Sequence, residues 1–424
     1  MRLISWLQQR IWLFSLTLIG LFFRLWHLSQ PKGLIFDELY YVRNAYSLLH
    51  HGVDLNSKGA PDFVVHPPIG KWLIAGGIKL FGYHEFGWRF SAAIIGTASI
   101  ALMYLTVEKL FANKFLSITA TILMLSDGLH LVHSRVSVLD IFLMFFIQLA
   151  FYFVITHQHW WAGLAFGLAI GTKWSGLYPL IAFAVLAVLL DIRANSLMKM
   201  LPRRILQYGL LPLITYIASW GGWFFTSVGF DRNLGVVTGF VDYHKRILSF
   251  HASLHDAHNY SANPFTWLIQ SRPTAFYYES PPGCGTSKCA QEILALGTPL
   301  LWWIGTIALA ITVGFFISKR EWRAGFILLG LGSCYLPWFA FQKRTMFNFY
   351  AISFEPFLVM AISYVLYNYL SSAENDRQLQ IRKRIIIGGL VVIIVNFFYF
   401  LPIFTGTTIP YETWLNRMWL DSWI

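Results

Sequence analysis

Long apolar runs recur along nearly the whole 424-residue chain, and this repetition narrows the fold more than any other feature. A bilayer core of about 30 Å takes about 20 apolar residues per helix. Candidate spans fall at 11–28, 88–110, 115–132, 137–156, 160–172, 175–190, 206–227, 297–317, 324–341, 347–369 and 385–404. The pattern predicts an all-α polytopic membrane protein with about 11 transmembrane helices, for which the lipid bilayer is the main solvent. Composition agrees, since 56% of the residues are hydrophobic and only 12% charged, too little polar surface for a soluble globule of this length. The run at 160–172 is short and is read as a span or as part of one bent or re-entrant element with its neighbour. The run at 11–28 follows Arg2 and Arg10, and no small-residue cleavage site precedes the polar Gln30-Pro31-Lys32-Gly33 stretch, so it reads as a retained helix and not a signal peptide.

Charge sets the expected orientation. With the N terminus cytoplasmic, the short inward loops are 109–114, 157–159, 191–204, 319–323 and 371–384, and all but the second are basic. The C terminus is then extracytoplasmic, with Trp414, Trp419 and Trp423 suited to an interfacial belt. The net charge of +12 owes much to this topology, and with no basic domain or RNA-binding motif the chain has no expected nucleic-acid partner. We read 1–424 as a single membrane domain with two long outward loops, 30–87 and 228–296, and a C-terminal four-helix membrane part, 297–424. Chemistry is expected on those loops, held by a rigid helical frame.

In the first loop the spacing at 37–52 predicts a short amphipathic helix, with Val42, Ala45, Tyr46 and Leu49 on one face and Arg43, Asn44, Ser47 and His50 on another; Gly52 is its stop. Asp37 and Glu38 fall in its first turn, as helix caps or as a catalytic pair. The hexapeptide His66-Pro67-Pro68-Ile69-Gly70-Lys71 is a rigid entry to a helix presenting Lys71, or a functional turn. Arg89, Arg135, Asp140 and Lys173 stand near the outer ends of predicted spans. Each alone can snorkel. Together on one membrane face they suggest a site for an anionic headgroup beside a carboxylate base. Arg344, in the outward Gln342-Lys343-Arg344-Thr345, runs against the positive-inside trend and reads as a phosphate contact or a snorkelling side chain. His251 and His255 have i, i+4 spacing, but no third ligand sits at a diagnostic distance, so a polar cleft or a lipid phosphate is the preferred reading over a metal. Cys284 and Cys289 are read as a disulfide closing a small loop in preference to free thiols or a zinc pair, and Cys334 as an apolar packer.

A carboxylate ringed by cations at bilayer height suits transfer of a group from an amphiphilic phosphate donor to an acceptor hydroxyl. The cations stabilise the departing phosphate while the carboxylate takes the acceptor's proton. This chemistry requires no cofactor and no divalent metal.

The runs Phe36-Asp37-Glu38-Leu39-Tyr40-Tyr41-Val42, His66 to Lys71, Gly87-Trp88-Arg89-Phe90-Ser91, Ser126-Asp127-Gly128-Leu129-His130, Ser134-Arg135-Val136 with Leu139-Asp140, and Thr172-Lys173-Trp174-Ser175-Gly176 resemble the protein O-mannosyltransferase family, bacterial branch. The likeness continues through Asn263-Pro264, Arg344-Thr345-Met346-Phe347 and Ile409-Pro410-Tyr411, and so covers nearly the whole chain. The resemblance implies a GT-C type helical bundle in the cell membrane and a polyprenyl-phosphate mannose donor on the extracytoplasmic side. It also implies an inverting transfer to Ser or Thr of a secreted or membrane protein, with the translocon as a candidate partner. By position, Asp37 resembles the catalytic base and Glu38 its acceptor-orienting or polar partner. Arg89, Arg135 and Lys173, with His66, Lys71 and Arg344, resemble donor-phosphate or site-supporting residues. The large lumenal module that eukaryotic members insert in the second outer loop has no counterpart here. A GT-C type transferase with a lipid or glycan acceptor is the nearest rival; a transporter would show two related halves, and no internal repeat is apparent.

Overall fold

Helices occupy every apolar run, but not as eleven uninterrupted spans. The computed structural model describes residues 10–424, which leaves Arg2 outside the described residues. After α1 (Ile11–Leu25), the first loop holds α2 (Glu38–His51) and α3 (Ile69–Phe81). Next come α4 (Glu85–Phe111) and α5 (Lys114–Leu125), whose first amides are capped by the side chains of His84 and Asn113. The run predicted at 115–132 then breaks. Ser126 and Asp127 leave helical geometry, and the Asp127 carboxylate accepts from the His130 amide at 3.2 Å to start the short α6 (Gly128–His133). The bundle continues with α7 (Asp140–Ile155), α8 (His159–Ile170) and α9 (Leu177–Arg193).

α10 (Leu197–Ile205) occupies much of the stretch expected as an inward loop, and the run at 206–227 follows it in pieces: a π-helical turn Leu206–Leu210, α11 (Leu211–Ser219) and α12 (Gly221–Phe225). In the second loop lie α13 (Val236–Ser253) and an antiparallel hairpin, β1 (Thr274–Glu279) and β2 (Cys289–Ala295), whose turn is closed by the Cys284–Cys289 disulfide. The C-terminal part comprises α14 (Pro299–Lys319), α15 (Trp322–Tyr335), a 3-10 turn Asn348–Ser353, α16 (Glu355–Ser371), α17 (Asp376–Thr405), β3 (Ile409–Pro410) and α18 (Tyr411–Leu415). β3 pairs with the start of β2, giving a sheet ordered β1-β2-β3. This sheet is the departure from an all-α fold.

Among the described residues, five helical segments are long and apolar enough to cross a bilayer: Glu85–Phe111, Trp174–Arg193, Pro299–Lys319, Trp322–Phe341 and Asp376–Thr405. α1, α5, α7 and α8 are apolar but shorter. The molecule is thus a multi-pass membrane bundle in which α4 packs on α1, α5 and α7, and α7 on α8, while α14 and α15 pack on α16.

Two expected faces are corrected. On α2, Tyr46 is exposed and Ser47 buried, because the Ser47 hydroxyl donates to the Val53 carbonyl (2.8 Å) and accepts from the Leu55 amide (2.9 Å) to fasten the following turn. In the tail, Trp414 and Trp423 are buried packers and only Trp419, 41% exposed, is free to meet an interface.

Candidate active site

The two adjacent carboxylates at the start of α2 have opposite surroundings. Phe36 adopts a left-handed φ of 47°, rare for a bulky residue, and turns the chain sharply just before them. Glu38 then points inward, fully buried. Its oxygens accept from Arg89 Nε (2.8 Å) and Nη2 (2.9 Å) and from the amides of Ile35 (3.1 Å) and Ser137 (3.0 Å). Four charge-assisted bonds satisfy a carboxylate and leave it little capacity for a substrate. Asp37 occupies the N-cap position, yet its side chain makes no capping bond and the residue stays partly exposed. Burial of its carboxyl raises Asp37 to about 6, with Lys173 and a hydrogen bond from Tyr41 pulling it back and Asp140 pushing it up.

The cations divide in the same way. Arg89 also donates to the carbonyls of Leu28 (3.2 Å), Pro31 (2.9 Å) and Gly33 (3.2 Å). Arg135 donates to the carbonyls of Phe23 (2.9 Å), Arg24 (3.2 Å), Trp26 (2.6 Å) and His27 (3.2 Å), and so caps the end of α1. Lys71 is buried against Asp54 at 2.9 Å. These three hold the first loop onto the bundle, and none lines the cavity beside it.

That cavity, of about 190 Å³, is lined by His66, Asp140, Lys173, Trp174, Tyr178, His251, Trp338, Arg344 and Tyr350 among others. Lys173 donates to both oxygens of Asp140 (3.0 and 2.9 Å) and sits 5.2 Å from the Tyr350 ring centroid, which leaves its third proton uncommitted. Arg344 makes only long hydrogen-bond contacts, 3.5 Å to the Thr345 carbonyl and 3.5 Å to His251 Nδ1, and stands 5.8 Å over the Trp338 ring, so its N–H groups remain available. His251 Nε2 lies 3.0 Å from the Val65 carbonyl; this assigns the proton to that nitrogen and a lone pair to Nδ1, facing Arg344. His66 Nδ1 is buried without a partner. Burial, then the nearby Lys173, pushes His66 well below its ordinary value, and burial pulls His251 down to about 4, so both rings are neutral at pH 7. His255 turns elsewhere, to the Lys343 carbonyl at 2.8 Å, and no group of three metal-capable side chains occurs among the described residues.

The structure therefore brings His66, Lys173 and Arg344 together around one cavity; Asp37 does not line it, although the charges of Lys173 and Asp140, which do, act on its carboxyl. Sequence reasoning passed over Tyr41, Tyr178, Trp338 and Tyr350. Of these only Tyr41 carried a signal, four residues after Asp37 on one helix.

Two family models match the chain. Residues 14–85 and 83–219 match dolichyl-phosphate-mannose-protein mannosyltransferase. Residues 236–423 match the C-terminal four-helix membrane region of protein O-mannosyltransferase. The chain is 31% identical to the polyprenol-phosphate-mannose–protein mannosyltransferase of Mycobacterium tuberculosis, over 96% of this chain and 90% of the relative. It is 27% identical to the protein of that name in Corynebacterium glutamicum, over 92% and 88%. Among solved structures it is similar to the S. cerevisiae protein O-mannosyltransferase Pmt1-Pmt2 complex bound to the sugar donor, with a TM-score of 0.81 at 14% identity over 98% of this chain and 93% of that one. ArnT from Cupriavidus metallidurans bound to undecaprenyl phosphate shares the fold at a TM-score of 0.62 and 14% identity, over 97% and 78%. These neighbours carry the GT-C architecture. By sequence over nearly its whole length, the chain belongs to the protein O-mannosyltransferase family.

Proposed function

We propose that the chain transfers mannose from a polyprenyl-phosphate mannose to Ser or Thr hydroxyls of proteins, with Asp37 as the general base. The names of its relatives support this donor and a protein acceptor. The observation that carries the catalytic assignment is the contrast between the two carboxylates: Glu38 is saturated by Arg89 and two amides, whereas Asp37 is uncapped and partly exposed.

In the proposed step the acceptor oxygen attacks the anomeric carbon from the face opposite the phosphate. The carbon–oxygen bond to the phosphate breaks, the acceptor's proton passes to Asp37, and polyprenyl phosphate leaves with inversion at the sugar. Arg344, the free proton of Lys173 and His66 are positioned to receive the charge that grows on the departing phosphate. Glu38, Arg89, Arg135 and Lys71 act as positioning residues. The basic inward loops support a cytoplasmic N terminus and an extracytoplasmic site in the cell membrane, which makes a translocating chain the natural acceptor and the translocon a candidate partner.

Membranes given radiolabelled polyprenyl-phosphate mannose and a Ser/Thr-rich peptide test this. Asp37→Asn is expected to lower peptide labelling by about 10²- to 10⁴-fold at normal expression. Undiminished labelling removes Asp37 as the base, and label in glycolipid but not in peptide favours the lipid or glycan acceptor.

A further inference from the structure

The cavity is assigned above to the donor, which leaves the seat of the acceptor to be found. A second surface offers one. β1 is the terminal strand of its sheet, paired on its inner side with β2 alone. Among the described residues, no backbone bond outside that ladder and no side-chain bond engages the main chain of residues 274–279. The register slips between Ala275 and Tyr277, and at this bulge Phe276 leaves the sheet to stack on Phe36, with ring centroids 4.2 Å apart and planes 11° apart. Phe36 is the left-handed residue immediately before Asp37. Phe349 meets both rings edge-on, at 5.5 and 5.3 Å, and its neighbour Tyr350 lines the donor cavity. Thr274 and Phe276 are themselves buried, so the edge is open from Tyr277 to Glu279 and is held by Phe276 against the Asp37 turn, with the donor cavity on the other side. Beyond Phe276 the strand runs outward to the exposed Tyr278 and Glu279.

We propose that the outer edge of β1 binds the acceptor as an extended polypeptide, adding a strand to the sheet and delivering a hydroxyl to Asp37. An edge presents amide donors and carbonyl acceptors at main-chain spacing, which an extended peptide matches and a lipid or glycan does not. Such recognition demands little of the acceptor's side chains apart from the hydroxyl. Phe276 serves as a ruler between edge and base. The inference rests on the protein-acceptor reading above.

The test uses the full-length protein in nanodiscs, polyprenyl-phosphate mannose and a set of nine-residue peptides with one central Thr, each N-methylated at a different backbone amide. An added strand alternates which amides face the sheet, so the acceptor KM is expected to rise at least tenfold with a period of two residues while the donor KM stays fixed. A flat or aperiodic profile overturns the strand-addition model even though the unmodified peptide is mannosylated in an Asp37-dependent way. If the unmodified peptide takes no label while a lipid or glycan does, both this inference and the protein-acceptor reading fall. As a second measurement, a photoreactive residue two positions from the Thr is expected to label 274–279; labelling confined to another surface overturns the proposal.

Discussion

Asp37 and Glu38 show how strongly one peptide bond can separate two chemical fates. The proposed base must be ionised, so transfer is expected to fall as pH drops through about 6, the value to which burial raises Asp37. A rate profile whose acid limb lies near 4 contradicts this. The same displacement bears on stability: a carboxyl held more tightly protonated in the folded state weakens folding as pH rises from about 4 to about 6, by about 2 to 3 kcal/mol once fully ionised. Asp37→Asn should therefore be inactive yet melt higher than the wild type, with a larger gain at pH 7.5 than at pH 5. Glu38→Gln is expected to do the reverse, costing about 3 to 5 kcal/mol because Arg89 is left buried without its counter-charge. Arg344→Gln should lower the melting temperature only slightly and raise the donor KM about tenfold, because that guanidinium holds two long hydrogen-bond contacts and a weak contact over Trp338 in the fold. The residue types and their order were readable in the sequence. Which cations remain free was not, because Arg89, Arg135 and Lys71 find their partners in segments that meet them only after folding.

At the scale of elements, hydropathy located the helices because lipid and core both select apolar runs. It missed the breaks. Asp127 ends one helix and begins another inside an apolar stretch, where its cap partner matters more than the average of its neighbours. The hairpin escaped because Thr274-Ala275-Phe276-Tyr277-Tyr278-Glu279 alternates poorly, and the bulge shifts its inward face halfway along. Close helix contacts are also invisible without coordinates. A Cβ on Gly163 of α8 would lie 1.9 Å from the Gln207 carbonyl in the π-helical turn. Gly163→Ala is thus expected to destabilise the protein by about 1 to 3 kcal/mol without altering the donor KM. Thermal unfolding alongside single-turnover kinetics separates the two effects.

Taken as a whole, the molecule surrounds its cavity with helices of unequal reach. α7 and α8 supply Asp140 and lead to Lys173, but they run for 16 and 12 residues, whereas α17 runs for 30. At 1.5 Å per residue the short pair spans about 24 and 18 Å, less than a typical hydrocarbon core of about 30 Å. α7 is almost wholly buried and α8 is exposed only at Trp160 and Trp161, so neighbouring helices, and not lipid, enclose the short pair. Their shortness is therefore accommodated inside the protein, where backbone that stops short of the membrane surface is tolerated. Because protein and not lipid grips the helices that carry Asp140 and lead to Lys173, transfer is expected to depend little on acyl-chain length, which vesicles of short-chain and long-chain lipids test.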